Sequence, residues 1–514
     1  MDTTSAQKKV NTAKAALRKK RGPARTSQDA APIADAIREF WEADRLAFGI
    51  PAHGGGRGPV PEFAQWAGMD AARYDLGISH GVDRRDRSWG VQEAAQQLFA
   101  EASGAQQVLF STNGSSMNVH VALLAVAGEN GKVIVARNGH KSVFAGLVVS
   151  GAHPIYLDPV YDEELEIAHT PLAADVAAVL DAHPDARAVM IHTPSYYGTS
   201  ADVRAIAAAC HERDRPLVTD DAWGLDYSFG AHPQLPESAL EQGSDLAIGS
   251  VHKTLSGLAQ TSVLSVGSDR IDAERLTLCF ELEESTSASA LLSSSIDGAR
   301  RQFVRDGDAL LGHAVDMAEL FRARLAAEVP ELRVVSVEEL KSRPGVSAVD
   351  PTHPLIETAS VGLTGYEAED WLLDHHGITT ELHDHRRIMP LITYAHSEDD
   401  IGRFVGALRD LVDAKGGEPL ERRFPSRQAL RSETVMRPRD AFFLDKEHVK
   451  PKDAVGRVSG ELVTPYPPGI PAVAPGEVLT EEIVGYLEEV VALGGFVEGA
   501  TDQRLDTFAV VSSE

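Results

Sequence analysis

The sequence predicts an α/β protein: a mainly parallel seven-stranded sheet covered by helices, then a smaller α/β domain and a C-terminal domain. Short strand-like runs recur near 108–112, 132–137, 154–158, 187–192, 216–220, 245–251 and 261–266. Helical stretches, including 172–182 and 201–213, fall between them, and strands alternating with helices call for a sheet covered on both faces. At 514 residues the chain also has room for two or three domains.

Taken in order, residues 1–30 read as a basic arm expected to be mobile, followed by an N-terminal segment, 31–90. Ala31 to Phe48 carries Ile33, Ile37, Phe40 and Trp41 on one side of a helix. The glycine-rich run Pro51 to Gly58 lacks the Gly-Lys-Ser/Thr of a Walker loop. Residues 91–325 form the large domain and end in a long helical stretch, Ser293 to Ala326. A small α/β domain, 326–415, holds an expected strand, Gly377 to Glu381, and a helix, Ile401 to Ala414. A polar linker, Lys415 to Arg423, leads into the remainder of a C-terminal domain spanning 416–514.

Composition narrows the partners. The formal net charge is −27, divided between about +7 in residues 1–25 and −34 in the rest. An acidic body argues against nucleic acid; it keeps the chain soluble and would also steer cationic substrates towards it. No apolar run is long enough to span a membrane, so no membrane partner is expected. Two cysteines, Cys210 and Cys279, make no disulfide framework, and with no apolar leader the expected location is the cytoplasm.

The residues that carry chemistry sit at strand ends. In Asp245-Leu-Ala-Ile-Gly-Ser-Val-His-Lys253 an apolar strand runs out into Ser250, His252 and Lys253. A lysine held there, beside hydroxyl and imidazole groups, suits a Schiff base with an aldehyde cofactor. Upstream, Pro216 to Thr219 ends in Asp220 and Asp221, followed by Ala222 and Trp223. A carboxylate at the carboxyl end of a parallel strand sits where such sheets bind ligands, and pyridoxal phosphate (PLP) needs one to keep its ring nitrogen protonated. The strand Val108 to Thr112 runs into Asn113, Gly114, Ser115 and Ser116, which open a helix whose free amides suit a phosphate. His140 follows the strand 132–137, over the same edge. Alone, each has an ordinary alternative: a surface lysine, an N-cap aspartate, a loop histidine.

Together these segments resemble the ornithine/lysine/arginine decarboxylases of the aspartate-aminotransferase fold. The resemblance rests on Phe110 to Ser116, Arg137 to Ser142, Asp220 to Ala222 and Ser250 to Leu255, and it extends to Thr286 to Ser289, Ser295 to Asp297, Thr464 to Pro471 and Pro475 to Glu477. It runs in colinear order over roughly residues 45–510. It implies PLP-dependent fold type I, with Lys253 as the Schiff-base lysine and Asp220 as the partner of the pyridinium nitrogen. His140 would stack on the ring, with Ala222 nearby and Gly114, Ser115, Ser116, Ser250 and His252 around the phosphate. Thr286 would lie near the substrate or a neighbouring subunit's cofactor, in a homodimer or higher homo-oligomer.

The resemblance further implies decarboxylation of a basic amino acid (arginine, lysine or ornithine), with His252 or the released Lys253 returning a proton. Candidate substrate contacts are Thr286, Asp86, Trp223 and Glu381, and Glu283 and Glu284 are further acids for a distal cation. Two departures stand out. Asp220-Asp-Ala-Trp223 replaces the family's Asp-Glu-Ala-His, and Val82 to Gly90 departs from its Leu-Asp-Asp-Leu-His segment. They keep a PLP transaminase or oxygen-using oxidase as the alternative chemistry. The histidines at 375, 376, 383 and 385 straddle the expected strand and do not converge, so no metal is expected.

Overall fold

The computed structural model describes residues 27–43, 50–58, 61–78, 82–83, 90–230, 232–421, 431–467 and 469–513. Asp86 and most of the basic arm lie outside the described residues. Ser27 to Ala30 form a turn, and the buried Arg300 guanidinium donates to the carbonyls of Gln28 and Ala30.

The seven expected strands form one sheet: β1 (Gln107–Ser111), β2 (Lys132–Ala136), β3 (His153–Leu157), β4 (Ala186–His192), β5 (Leu217–Asp220), β6 (Leu246–Ser250) and β7 (Ser262–Val266). Their order is β1-β7-β6-β5-β4-β2-β3. β7 runs antiparallel to both neighbours, and the other inter-strand pairings are parallel. Every residue of β5, β6 and β7 is buried, because helices cover both faces.

Register places the chemistry. His192 pairs with Asp220, Asp220 with Ile248, Ser250 with Ser262, and Ser262 with Ser111. Four strand carboxyl ends and the start of β7 therefore share one edge, where ligands bind in open α/β sheets.

Two apolar layers hold that edge rigid. One face packs against α1 (Gly114–Ala127) and α2 (Lys141–Ser150), with Met117, Val121, Leu123, Phe144 and Leu147 buried. α1 is apolar around most of its circumference because the sheet and other helices enclose it. The opposite layer joins Ile33, Phe99, Phe110 and Phe303, the last on α3 (Ala290–Glu328).

α3 continues into the smaller region, where Phe321 stacks on Phe404 of α5 (Glu398–Lys415) at 5.3 Å. That region has four short antiparallel strands: β8 (Arg333–Val334), β9 (Ile356–Glu357), β10 (Leu382–His383) and β11 (Ile388–Met389). The strand expected at 377–381 is displaced to β10. Gly377 closes α4 (Gly365–His376) in the left-handed conformation, and the Thr380 N–H bonds the Glu369 carboxylate, which removes it from the ladder.

The C-terminal part contributes β12 (Lys446–Val449) paired with β15 (Phe508–Val511), and β13 (Thr464–Tyr466) paired with β14 (Phe496–Glu498). It is bonded to the large sheet's functional edge. Arg137, just past β2, donates to the carbonyls of Pro471 and Ala472 and pairs with the buried Glu477 at 3.0 Å.

Candidate active site

Lys253 rises from a single helical turn, Val251–Thr254, directly after β6. The amine lies over the face of Trp223, 4.0 Å from the ring centroid. Burial pushes its pKa below the usual lysine range, against the pull of Asp220 and Glu381. Asp220 ends β5 and is buried. Burial opposes its charge, but the His192 ring, 3.5 Å away, together with His140 and Lys253, outweighs burial and holds the carboxyl below the ordinary range. Its neighbour Asp221 behaves oppositely. Burial, then the Asp226 and Asp220 charges, push it well above that range, so it carries its proton.

His140 caps the start of α2, with Nδ1 accepting from the Ser142 amide and 2.8 Å from the Ser142 hydroxyl. Burial drives its pKa down to about 3, with Asp220 opposing and Lys253, His192 and Lys141 reinforcing, so the ring is neutral. The C-terminal part holds this ring: the Lys141 amide donates to the Gly469 carbonyl at 3.0 Å, and the Lys141 ammonium meets Glu498. A Cβ on Gly469, whose φ is +90°, would lie 3.0 Å from the Tyr466 ring and 3.3 Å from His140. Glycine is required there both for conformation and for close approach.

In the segment expected to face the phosphate, Gly114 opens α1 with φ +79° and donates to the Gln260 carbonyl at 2.9 Å, leaving Ser115 and Ser116 in the helix's first turn. Register sets Ser250 beside Ser262 and Ser111, two strands along the same edge. His252 donates from Nδ1 to the Thr261 carbonyl at 2.8 Å, a tautomer assigned from that bond, which leaves Nε2 as the acceptor. Burial lowers its pKa, with the Thr261 carbonyl opposing.

Lys253, Asp220, His140, Trp223 and Glu381 thus form one electrostatic cluster, with Ala222 buried between Asp221 and Trp223. Glu381 is solvent-exposed on the strip before β10. The surrounding atoms still raise its carboxyl pKa, with Lys253 and His353 pulling it down. Glu381 also lines a cavity of about 310 Å³ with Asp400, Arg403 and Phe404. Thr286 stands apart, exposed in the turn between helix Ala273–Glu283 and α3.

The histidines weighed as a metal set take separate partners: His375 stacks on Trp371, His376 faces Asp410, His383 meets Tyr366 edge-on, and His385 bonds Glu166.

Four residues around the cluster were not singled out from sequence. His192 packs its ring 4.6 Å from Tyr196, Tyr466 feels the charges of Glu498 and Glu381, and His353 meets Trp223 edge-on at 5.7 Å. His192 had a legible signal, because it ends an apolar strand as Asp220 does. Tyr466 lies in the recognised segment Thr464 to Pro471, whereas Tyr196 and His353 had no signal, since only tertiary packing brings them here.

The donor set fits PLP. Asp220 Oδ1 is buried with no hydrogen-bond partner among the described residues, as a carboxylate awaiting a ring N–H would be. Ser250 Oγ is buried and unpartnered in the same way, on the same sheet edge as a helix N-terminus whose amides suit a phosphate.

The family model described as Orn/Lys/Arg decarboxylase, major domain, matches residues 31–400, and the model for that family's C-terminal domain matches 424–496. The chain is 34% identical over 485 residues to an arginine decarboxylase of Halalkalibacterium halodurans, covering 94% of this chain and 98% of that one. Identity to an arginine decarboxylase of Bacillus subtilis is also 34%, over 491 residues, covering 95% of this chain and 99% of that one. Lysine decarboxylase A from Pseudomonas aeruginosa has the same fold, with a TM-score of 0.77 at 21% identity over 94% of this chain and 80% of that one. Two family matches spanning most of the chain, on a fold whose strand ends assemble these groups, make it a member of the Orn/Lys/Arg decarboxylase family, PLP-dependent enzymes that decarboxylate basic amino acids.

Proposed function

We propose that this enzyme decarboxylates arginine, with Lys253 as the amine that holds the cofactor aldehyde. The observation that carries the site assignment is the charged, buried Asp220, with an unpartnered oxygen, in the same electrostatic cluster as a desolvated Lys253. Full-length likeness to two arginine decarboxylases supports the choice of substrate. When bound, PLP supplies the electron sink for the breaking bond between Cα and the carboxylate.

The chain's residues do the rest. Asp220 keeps the ring nitrogen protonated, with His192 behind it. Neutral His140 would face the ring without adding a competing charge. Gly114, Ser115, Ser116, Ser250 and His252 would hold the phosphate, and Ala222 would pack near the ring. Trp223, Tyr196 and His192 line the buried side and exclude water, which favours loss of a charged carboxylate as neutral CO₂. Lys253 returns the proton to Cα. His252 suits that task less, since its neutral tautomer leaves Nε2 as an acceptor.

Glu381, at the solvent-facing side, meets the distal cation, which needs a carboxylate partner to be buried at low cost. Asp86 remains a second candidate for it.

The working unit is a homodimer or higher homo-oligomer with Thr286 facing the partner. Leu278 and Leu282, both exposed on the helix that leads to Thr286, support this. Large, small and C-terminal domains divide near 325 and 415, each contributing most of one apolar cluster. Two free cysteines suit a reducing cytoplasm. Among the described residues no helix is long and apolar enough to cross a membrane.

The deciding assay offers arginine, lysine, ornithine, norleucine and glutamate to the PLP-loaded enzyme and measures CO₂, amine, keto acid and peroxide. Arginine should give CO₂ and its amine in equal amounts. Keto acid or peroxide as the main product would overturn decarboxylation, and turnover of norleucine at the arginine rate would overturn recognition of a distal cation.

A further inference from the structure

Trp223 occupies a position where the resemblance led us to expect a histidine, and the fold puts the indole directly under Lys253. The amine is 4.0 Å from the ring centroid, well inside the range of about 6 Å over which an aromatic face attracts a cation. Among the described residues no carboxylate or carbonyl accepts a hydrogen bond from it. The indole itself is held: it is 3% exposed, His353 meets it edge-on, and the His353 ring lies 3.4 Å from Asp350. Asp350 in turn accepts from Thr352 and from the Tyr227 hydroxyl at 2.7 Å. A rigid aromatic face thus lies against the tip of a flexible side chain.

We propose that the face of Trp223 is the seat of the Lys253 ammonium whenever that amine is not joined to the cofactor. The proposal rests on Lys253 being the cofactor lysine. The groups facing the amine are Asp220 from β5, Glu381 from the strip before β10, His140 from the start of α2, and His252 on its own turn. The two acids favour the charged form, and His140 and His252, while neutral, add no repulsion. The indole adds attraction without a proton-accepting atom, so it offsets part of the burial cost and holds the amine in place while it is charged. A histidine at position 223 would bring a titrating ring and, when protonated, a repelling charge.

The test uses the full-length protein stripped of cofactor. Only the neutral amine attacks an aldehyde, so the rate at which added PLP regains its visible band, followed against pH, reports the Lys253 midpoint. In Trp223→Leu that midpoint should fall by about 1 pH unit, and in Trp223→Phe by less. Independently, indole emission should change through the wild-type midpoint, and that change should vanish in Lys253→Met and in Trp223→Phe. A midpoint unmoved in both Trp variants would overturn the seat, as would an emission change that survives in Lys253→Met. If Trp223→Leu fails to fold, the Phe variant and the emission titration still decide. A wild type that never regains the band defeats Lys253 as the cofactor lysine, while the emission arm judges the seat separately.

Discussion

Asp220 and Asp221 are adjacent, equally buried carboxyls, and the structure gives them opposite charge states. Replacing each by asparagine in turn separates charge from shape. Asp220 is held ionised by the His192 ring at 3.5 Å and by His140 and Lys253, and no other described group satisfies its Oδ1. Two opposite charges about 4 Å apart attract by about 4 kcal/mol at the effective dielectric of a protein interior. Removing one preorganised electrostatic partner from an active site costs about 2.7–4 kcal/mol, or 10²–10³-fold in rate. Asp220→Asn should lose that much in kcat and bind PLP more weakly.

Asp221 carries its proton already, so Asp221→Asn exchanges one neutral group for another and should change kcat by about twofold or less. Its stability effect has a definite sign. A carboxyl whose folded pKa is raised contributes stability that is lost as pH rises from its unfolded value near 3.8 through the folded one. Asparagine escapes that loss, so Asp221→Asn should be at least as stable as wild type at neutral pH. Steady-state kinetics, PLP titration and denaturation at pH 7 on both variants decide the matter. Equal losses in kcat, or a larger loss at Asp221, would refute the assignment of the ring partner.

Three other outcomes follow from the same geometry. Glu477→Leu strands the Arg137 guanidinium and should cost about 3–5 kcal/mol in urea denaturation, while Arg137→Met/Glu477→Leu should recover most of it. His140, with its folded pKa lowered to about 3, contributes stability above the unfolded value of 6.5 that is lost as pH falls below it. Between pH 7.5 and 5.5 wild type should therefore lose about 1.4 kcal/mol more than His140→Phe. Glu381→Gln should raise KM for a cationic substrate about tenfold or more and leave norleucine binding, followed by the PLP band, unchanged. An equal effect on both ligands would remove Glu381 from cation recognition.

Much of the large sheet was legible because its strands are short apolar runs closed by polar residues, so Lys132 to Ala136 and Leu246 to Ser250 declare themselves. The strand expected at 377–381 was misplaced for a non-local reason, the capture of the Thr380 amide by Glu369. The candidate site was legible wherever a proposed functional side chain ends a strand or opens a helix, as with Asp220, Lys253 and Ser115. The pairing of Arg137 with Glu477 was not, although both residues lay in recognised segments, because 340 positions separate them. Nor was the contact of Trp223 with Lys253 and His353, which arises from packing between separate parts of the chain. Charge state was equally hidden: nothing local in Asp220-Asp221 says which carboxyl keeps its proton.

The central claim is that Lys253 carries the cofactor at this strand edge. Borohydride reduction of the PLP-loaded enzyme followed by peptide mapping tests it most directly. The account expects one stoichiometric label, on Lys253, and none in Lys253→Ala. A label on any other lysine, or an unlabelled wild type, would contradict it.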